Sequence, residues 1–302
     1  MTKTNERGDV YQIVTDRVIE LLEAGVVPWR KPWTGGGMAI PKNLISKKAY
    51  RGMNVWLLMT AGYESPYWMT YNQAAAIGGT VKKGEKGNLV VFWKWLDAED
   101  KQTKEKKRIP MLRYYKVFNF HQCEAVKGGK TKWAKATKFA MVKTETVTKV
   151  KAIKAADGIV KGMPNPPKLT HSGEQRAYYS RGEDRVNMPK KATFTHSEEY
   201  YSTLFHELTH ATGHDSRLGR LQESTSGFGS ESYAKEELVA EMGAAFLSGM
   251  AGIVNKTIPN SAAYIKSWLG KLKNDNRLVV SAAGAAQKSS DYILGVTFED
   301  KD

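Results

Sequence analysis

The stretch Phe205–Arg220, FHELTHATGHDSRLGR, places His206 and His210 four residues apart with Glu207 beside the first. On a helix, residues four apart lie one above the other on the same face. Two imidazole nitrogens can then reach one cation at about 2.0–2.1 Å, the usual Zn–N distance. Glu207 is placed to take a proton from water there, while the cation polarises a carbonyl. That is the chemistry of amide hydrolysis. The flanking residues predict the helix that such spacing needs. Thr195 and Glu198 form a capping box, Tyr201, Leu204, Phe205 and Leu208 make an apolar face, and Gly213 is a stop.

A catalytic zinc usually has three protein ligands and one open position. The metzincin pattern puts a third histidine where this chain has Ser216, so it fails. His214 follows His210 by one turn, and a straight helix cannot bend three successive residues of one row onto a single ion. A better candidate lies in SYAKEELVAEMGAAFLSG, where the only polar side chain from Leu238 to Leu247 is Glu241. That marks a buried helix, and a buried carboxylate needs a partner. Glu237-x-x-Ala240-Glu241 resembles the ligand helix of gluzincin peptidases. The resemblance implies that Glu237 binds the metal and that Glu241 steadies the first histidine, His206. The expected cofactor is Zn2+, with another divalent cation as the alternative. DRVNMP is read either as an edge strand that pairs with an extended peptide or as an ordinary edge strand ended by Pro189.

The elements around this site differ between the two halves. DVYQIVTDRVIELLEAG predicts an opening helix capped by Asp9 and ended by Gly25. VVPWRKPWTGGG excludes regular structure, and NVWLLMTAG is a short buried helix. TYNQAAAIGG is a helix with a Thr70/Gln73 capping box, and NLVVFWKWL and RIPMLRYYKVFNF are strands. The segment Lys127–Lys138, rich in Gly, Thr and Lys, reads as a boundary. Beyond it come a helix, two short strands and helical regions near 196–213, 232–250 and 260–290. The expected fold class is α+β in two domains. Residues 1–135 form an α+β domain with a small antiparallel sheet, and residues 136–302 form a mainly helical domain with a small sheet.

Charge follows the same division. Residues 1–150 carry 27 Lys and Arg against 13 Asp and Glu, and residues 151–302 carry 19 against 18. Seven of the eight tryptophans also lie in the first half. Such an excess of one sign repels itself, and a polyanion is its usual partner. Single-stranded nucleic acid is bound by cations for phosphates and flat rings for unstacked bases. Trp29, Arg30, Lys31 and Trp33 offer both, as do Lys47, Lys48 and Arg51 around Tyr50, and Lys82, Lys83 and Lys86 add charge on a turn. The strands add Phe92, Trp93, Trp95, Tyr114 and Tyr115, with cations between them; Trp56 is expected in the core. There is no zinc-finger spacing and no helix-turn-helix pattern, which favours binding without sequence preference. No apolar run approaches the roughly 20 residues that cross a bilayer. The polar start and single Cys123 lead to an expected cytoplasmic location.

YQIVTDRVIELLEAGVVPWRKPW, PKNLISKKAYRGMN and SPYWMTYNQAAAIGGTVKKGEKG resemble, in order, the N-terminal domain of the ArdC antirestriction proteins. FHELTHATGHDSRL and YAKEELVAEMGAAFL resemble the metallopeptidase-like domain that follows it in that family. The resemblance runs from about residue 8 to about residue 295. It implies a plasmid- or phage-borne protein that shields incoming DNA from restriction, acting during conjugation. It also implies a domain that binds single-stranded DNA and a zincin-like domain with His206, Glu207, His210 and Glu237 in the family's positions. Duplex DNA and an unidentified host protein substrate are the further partners to consider. Two rivals remain: a DNA-tethered zinc protease that cleaves nucleic-acid-bound proteins, and a non-enzymatic DNA-occluding protein whose zinc is structural. A two-metal nuclease would need clustered acidic ligands in the basic half, where none is evident.

Overall fold

The computed structural model describes residues 9–30, 40–99, 106–141, 149–223, 231–253 and 262–297. The chain divides into two units, one of residues 1–21 and 40–143, the other of residues 22–39 and 144–302. The division therefore falls beyond the expected position at 135, and a short N-terminal segment belongs with the second unit.

The first helix, α1 (Val10–Glu23), belongs to the first unit as far as Leu21. The Asp9 carboxylate accepts the Tyr11 N–H at 3.0 Å, as a capping residue should. Val14, Val18 and Leu22 form its buried stripe. Gly25 ends it in the left-handed region, φ +77°. After β1 (Lys42–Asn43) comes α2 (Met53–Met59), where Val55, Trp56, Leu57 and Leu58 are all buried. β2 (Tyr67–Met69) leads into α3 (Tyr71–Ala76), whose Thr70/Gln73 capping box is formed as the spacing predicts. β3 (Gly79–Val81) precedes a long ribbon, β4 (Asn88–Glu99) and β5 (Lys106–Asn119), paired antiparallel from Asn88↔Val117 to Glu99↔Lys106. β6 (Cys123–Ala125) pairs back on β3. The larger sheet has the order β1-β2-β5-β4, so β4 is an edge. Asn54 from α2 covers part of that edge: its amide donates to the Val91 carbonyl and accepts the Val91 N–H, both at 2.7 Å.

Residues 127–138 are not a linker. They contain α4 (Lys130–Thr137), and its Trp133 is buried and stacked on Phe120, with ring centroids 5.9 Å apart at 12°. The indole also lies on Gly79, where an added Cβ would come within 2.1 Å of it. One tryptophan thus supplies the burial that the polar composition concealed.

The second unit begins its later part with α5 (Lys149–Gly162). Three strands follow: β7 (Lys168–His171), β8 (Tyr178–Ser180) and β9 (Arg185–Met188). Their order is β7-β9-β8, with β7 parallel and β8 antiparallel to β9. The DRVNMP strand is therefore central rather than an edge, consistent with burial of Val186, Asn187 and Met188. The flanking strands β7 and β8 are the edges.

The helix carrying the two histidines is α6 (Ser197–Ala211). It starts at an N-cap of His196 without a side-chain cap bond, so the Thr195/Glu198 box is not formed. Glu198 and Glu199 still occupy the first turn, where the helix dipole favours acids. α7 (Glu231–Ala251) follows. The last helical region is two helices, α8 (Ala262–Asn274) and α9 (Leu278–Ile293), because the Asp275 carboxylate accepts the Arg277 N–H at 2.8 Å in a local turn. Tyr201, Leu204, Phe205 and Leu208 of α6 are buried together with Ala244, Leu247 and Ala251 of α7. The two helices come close at Gly243, where a Cβ would stand 2.5 Å from the Thr209 methyl. That approach brings the acidic start of α7 beside the histidines. Among the described residues, no helix is long and apolar enough to cross a membrane.

Candidate metal centre and candidate nucleic-acid surface

His206 and His210 project from one face of α6, their Nε2 atoms 3.1 Å apart. Glu237, in the second turn of α7, faces both. Its carboxylate oxygens stand 3.7 Å from His206 Nε2 and 3.6 Å from His210 Nε2. Two donors about 2.1 Å from one ion at a tetrahedral angle stand about 3.4 Å apart. The three separations bracket that value, so the donors fit a single divalent cation. Among the described residues, this is the one group of three or more His, Cys, Asp or Glu arranged to hold a metal. Two imidazoles and a carboxylate suit zinc, and they also suit other first-row divalent ions. His214 is not in the group; its Nδ1 lies 2.8 Å from Ser216 Oγ.

Glu207 is buried, 8% exposed. Burial pushes its carboxyl above the ordinary range. The nearby His210 charge and the backbone N–H of Tyr179, in β8, pull the other way. A raised carboxyl is the direction a general base requires. β8 is held in place at its far side. The Tyr179 hydroxyl donates to Asp184 at 2.9 Å, and Asp184 is gripped by the fully buried side chain of Arg217. Arg217 also donates to the Ala211 carbonyl at 2.8 Å, so the turn after α6 and the β8–β9 hairpin form one block. This block sets the position of the N–H that meets Glu207.

One part of the site has no sequence signal. His210 Nδ1 lies 3.1 Å from Glu236, the residue before Glu237. Arg220 donates to both Glu236 oxygens, at 2.9 and 2.8 Å. It also donates to Thr212 Oγ1 at 2.6 Å and to Ser289 Oγ of α9 at 3.1 Å. Burial alone would raise the Glu236 carboxyl, but its bonds from His210 and Arg220 hold it below the ordinary range. An acid on the far nitrogen fixes which ring nitrogen faces a metal. Glu241, the acid expected to steady His206, is half-buried one turn beyond Glu237.

The expected nucleic-acid residues separate into several groups. Trp29 is 3% exposed and belongs to the second unit, where its indole N–H donates to Tyr264 Oη at 3.1 Å and its ring meets Trp268 edge-on. This corrects the expectation: Trp29 is a core residue and presents no face to a base. Lys47 is exposed, yet its ammonium is engaged with the protein. Its ammonium donates to the Leu44 carbonyl at 2.6 Å and sits 3.0 Å from the centre of the Phe139 ring. Lys82 donates to the His121 carbonyl at 2.8 Å. Lys48, Lys83 and Lys86 are exposed, and Arg51 is half-buried. Lys31 and Trp33 lie outside the described residues, as do the side chains of Arg30 and Trp95. Trp56 is in the core, as expected. The exposed rings of the first unit include Phe92, Trp93, Tyr114 and Tyr115, all on the β4–β5 ribbon.

Two family models match the chain: the N-terminal domain of the anti-restriction factor ArdC over residues 8–118, and a zincin-like metallopeptidase over residues 164–285. An Escherichia coli DNA primase, TraC, is 36% identical over 96% of this chain, which spans only 20% of the primase's length. An uncharacterized protein, y4eC, of Sinorhizobium fredii is 36% identical over 94% of this chain and 91% of its own. The metal-free crystal structure of the antirestriction protein ArdC from plasmid R388 is 40% identical, with a TM-score of 0.73 over 94% of this chain and 96% of that one. The Mn(II)-bound structure of that protein is 38% identical, with a TM-score of 0.72 over 95% of this chain and 97% of that one. With both domains matched in order and nearly the whole length covered, this chain belongs to the ArdC antirestriction family.

Proposed function

We propose that this protein is a cytoplasmic antirestriction factor that binds single-stranded DNA without sequence preference and protects incoming plasmid DNA during conjugative transfer. The near full-length likeness to an antirestriction protein carries this reading. The charge excess of residues 1–150 supports the DNA part, as does the likeness to a region of a DNA primase. In the second unit, His206, His210 and Glu237 hold a divalent metal, which we take to be zinc; manganese is seen in a relative. When bound, the cation would supply Lewis acidity toward a carbonyl. Glu207 accepts a proton from water at the site. Tyr179 N–H orients the Glu207 carboxylate and Glu236 orients the His210 ring, and the resemblance to a gluzincin ligand helix assigns Glu241 to steady His206.

A second reading is a DNA-tethered protease that acts on a host protein. The three donors that meet among the described residues favour it, because three protein ligands leave a coordination position open, whereas a structural zinc is closed by four. The test is restriction of incoming DNA in cells carrying wild type or Glu207→Ala, each first checked for folding and oligonucleotide binding. Loss of protection by a folded, DNA-binding Glu207→Ala protein supports hydrolysis as part of the mechanism. Full protection makes hydrolysis dispensable and leaves binding as the cause. If wild type gives no protection, the antirestriction reading fails.

A further inference from the structure

With Trp29 buried, the stacking rings must come from elsewhere, and the register of the β4–β5 ribbon sorts the candidates. Residues directly opposite in an antiparallel pair share a face, and so do residues two apart along a strand. Phe92 lies opposite Arg113, Val90 opposite Tyr115, and Lys94 opposite Met111. One face therefore carries Phe92, Tyr115, Arg113 and Lys94. The rings of Phe92 and Tyr115 touch, centroids 5.5 Å apart at 62°, yet each remains more than a third exposed. The inner end of this face is closed by core, with Val90 and Val117 buried against Leu58 and Trp68. Tyr50 packs against that core, which places its neighbours Lys48 and Arg51 near the inner end of this face. The opposite face carries Trp93 and Tyr114 over buried Val91 and Leu112, and there Trp93 already meets Tyr11 of α1 edge-on at 6.2 Å.

We infer that the face bearing Phe92, Tyr115, Arg113 and Lys94 is the platform on which a single-stranded nucleic acid lies, with bases on the rings and phosphates on the cations. Two strands, through residues 92–94 and 113–115, converge to make it. It combines the two elements sequence-tolerant single-strand binding needs, flat rings and flanking positive charge. Protein interfaces also gather aromatic rings and arginine, and it is the excess of 27 Lys and Arg over 13 Asp and Glu in residues 1–150 that favours a polyanion as the occupant. This inference rests on the proposed DNA binding and adds its location.

The test is fluorescence anisotropy of a labelled oligothymidylate with the full chain at several salt concentrations. The variants are Phe92→Leu with Tyr115→Leu, Arg113→Gln, and Trp93→Leu as the opposite-face comparator. Loss of a stacking ring should weaken binding by about five- to a hundredfold with the salt slope unchanged. Arg113→Gln should reduce the salt slope by about 0.7, the value for one phosphate contact on a single strand. Trp93→Leu should stay close to wild type. If the ring pair lowers the melting temperature, Arg113→Gln decides alone. Wild-type affinity in both the ring-pair and Arg113 variants, or a larger loss from Trp93→Leu, overturns the location while leaving DNA binding intact. Failure of wild type to bind removes the proposed DNA binding and this location with it.

Discussion

Arg217 and Arg220, in the second unit, are folded inward against Asp184 and Glu236, and each ends on backbone carbonyls as well. Lys48, Lys83, Lys86 and Lys94, in the first unit, are exposed. Formal charge counts the two groups alike, yet only the outward one makes a field that a distant polyanion can feel. The inward arginines act over a few ångströms, as rigid struts for a metal site. The two units thus spend the same residue types on opposite tasks: holding a few atoms in fixed geometry, and presenting a surface to a flexible strand.

The comparison predicts that damage to one unit leaves the other's function unchanged. Arg220→Ala is the most severe case. It leaves the Glu236 charge buried without its main partner, a loss of about 3–5 kcal/mol. Metal affinity should also fall by about 10–100-fold through the freed His210 ring. Calorimetry and chelator competition read the two effects, while oligonucleotide affinity stays within about twofold. Next is Trp29→Ala, which should cost about 3–5 kcal/mol as a core truncation, with DNA affinity of the folded fraction unaltered. A selective loss of DNA binding at unchanged melting temperature would restore Trp29 as a contact residue and undo the distinction. Gly243→Ala should be milder, about 1–3 kcal/mol, because its methyl must push Thr209 aside. Its signature is a drop in melting temperature together with weakened metal binding, since α6 and α7 carry the ligands.

The smallest effect is acid sensitivity. Burial would raise Asp184, but the bonds from Arg217 and Tyr179 outweigh it and hold the carboxyl below its ordinary range. A depressed folded value means the contribution is complete above the unfolded pKa, about 3.9, and is lost as pH falls through the lower folded value. The gap in melting temperature between wild type and Asp184→Asn should therefore be constant from pH 7 to about 5 and shrink below about 4. A gap that widens with acid would contradict the assignment.

The sequence disclosed the parts of this molecule that are local. His206, Glu207 and His210 sit within one helical turn, so their spacing alone sets their relation. Glu237 was legible only through the resemblance of Glu237-x-x-Ala240-Glu241 to a gluzincin ligand helix; burial pointed to Glu241. Glu236 and Arg220 were not legible. They are 16 residues apart, and what joins them is the packing of three helices. Trp29 misled for the opposite reason: its neighbours are basic and irregular, but its partners Tyr264 and Trp268 lie more than 230 residues away. α4 was missed because a single buried Trp133 carries little weight in a window of lysines.

The placement of residues 22–39 with the second unit has a practical meaning for anyone dividing this protein. The polypeptide enters the first unit, leaves it for the second, and returns. A single cut near residue 140 therefore yields no clean pair of modules. The N-terminal fragment would carry away Val27 and Trp29 as newly exposed greasy side chains, and the remainder would keep Trp268 and Tyr264 with an unfilled socket. Recombination or truncation at that point should give two aggregation-prone pieces. Exchange of intact function between relatives would then require inheritance of both halves together.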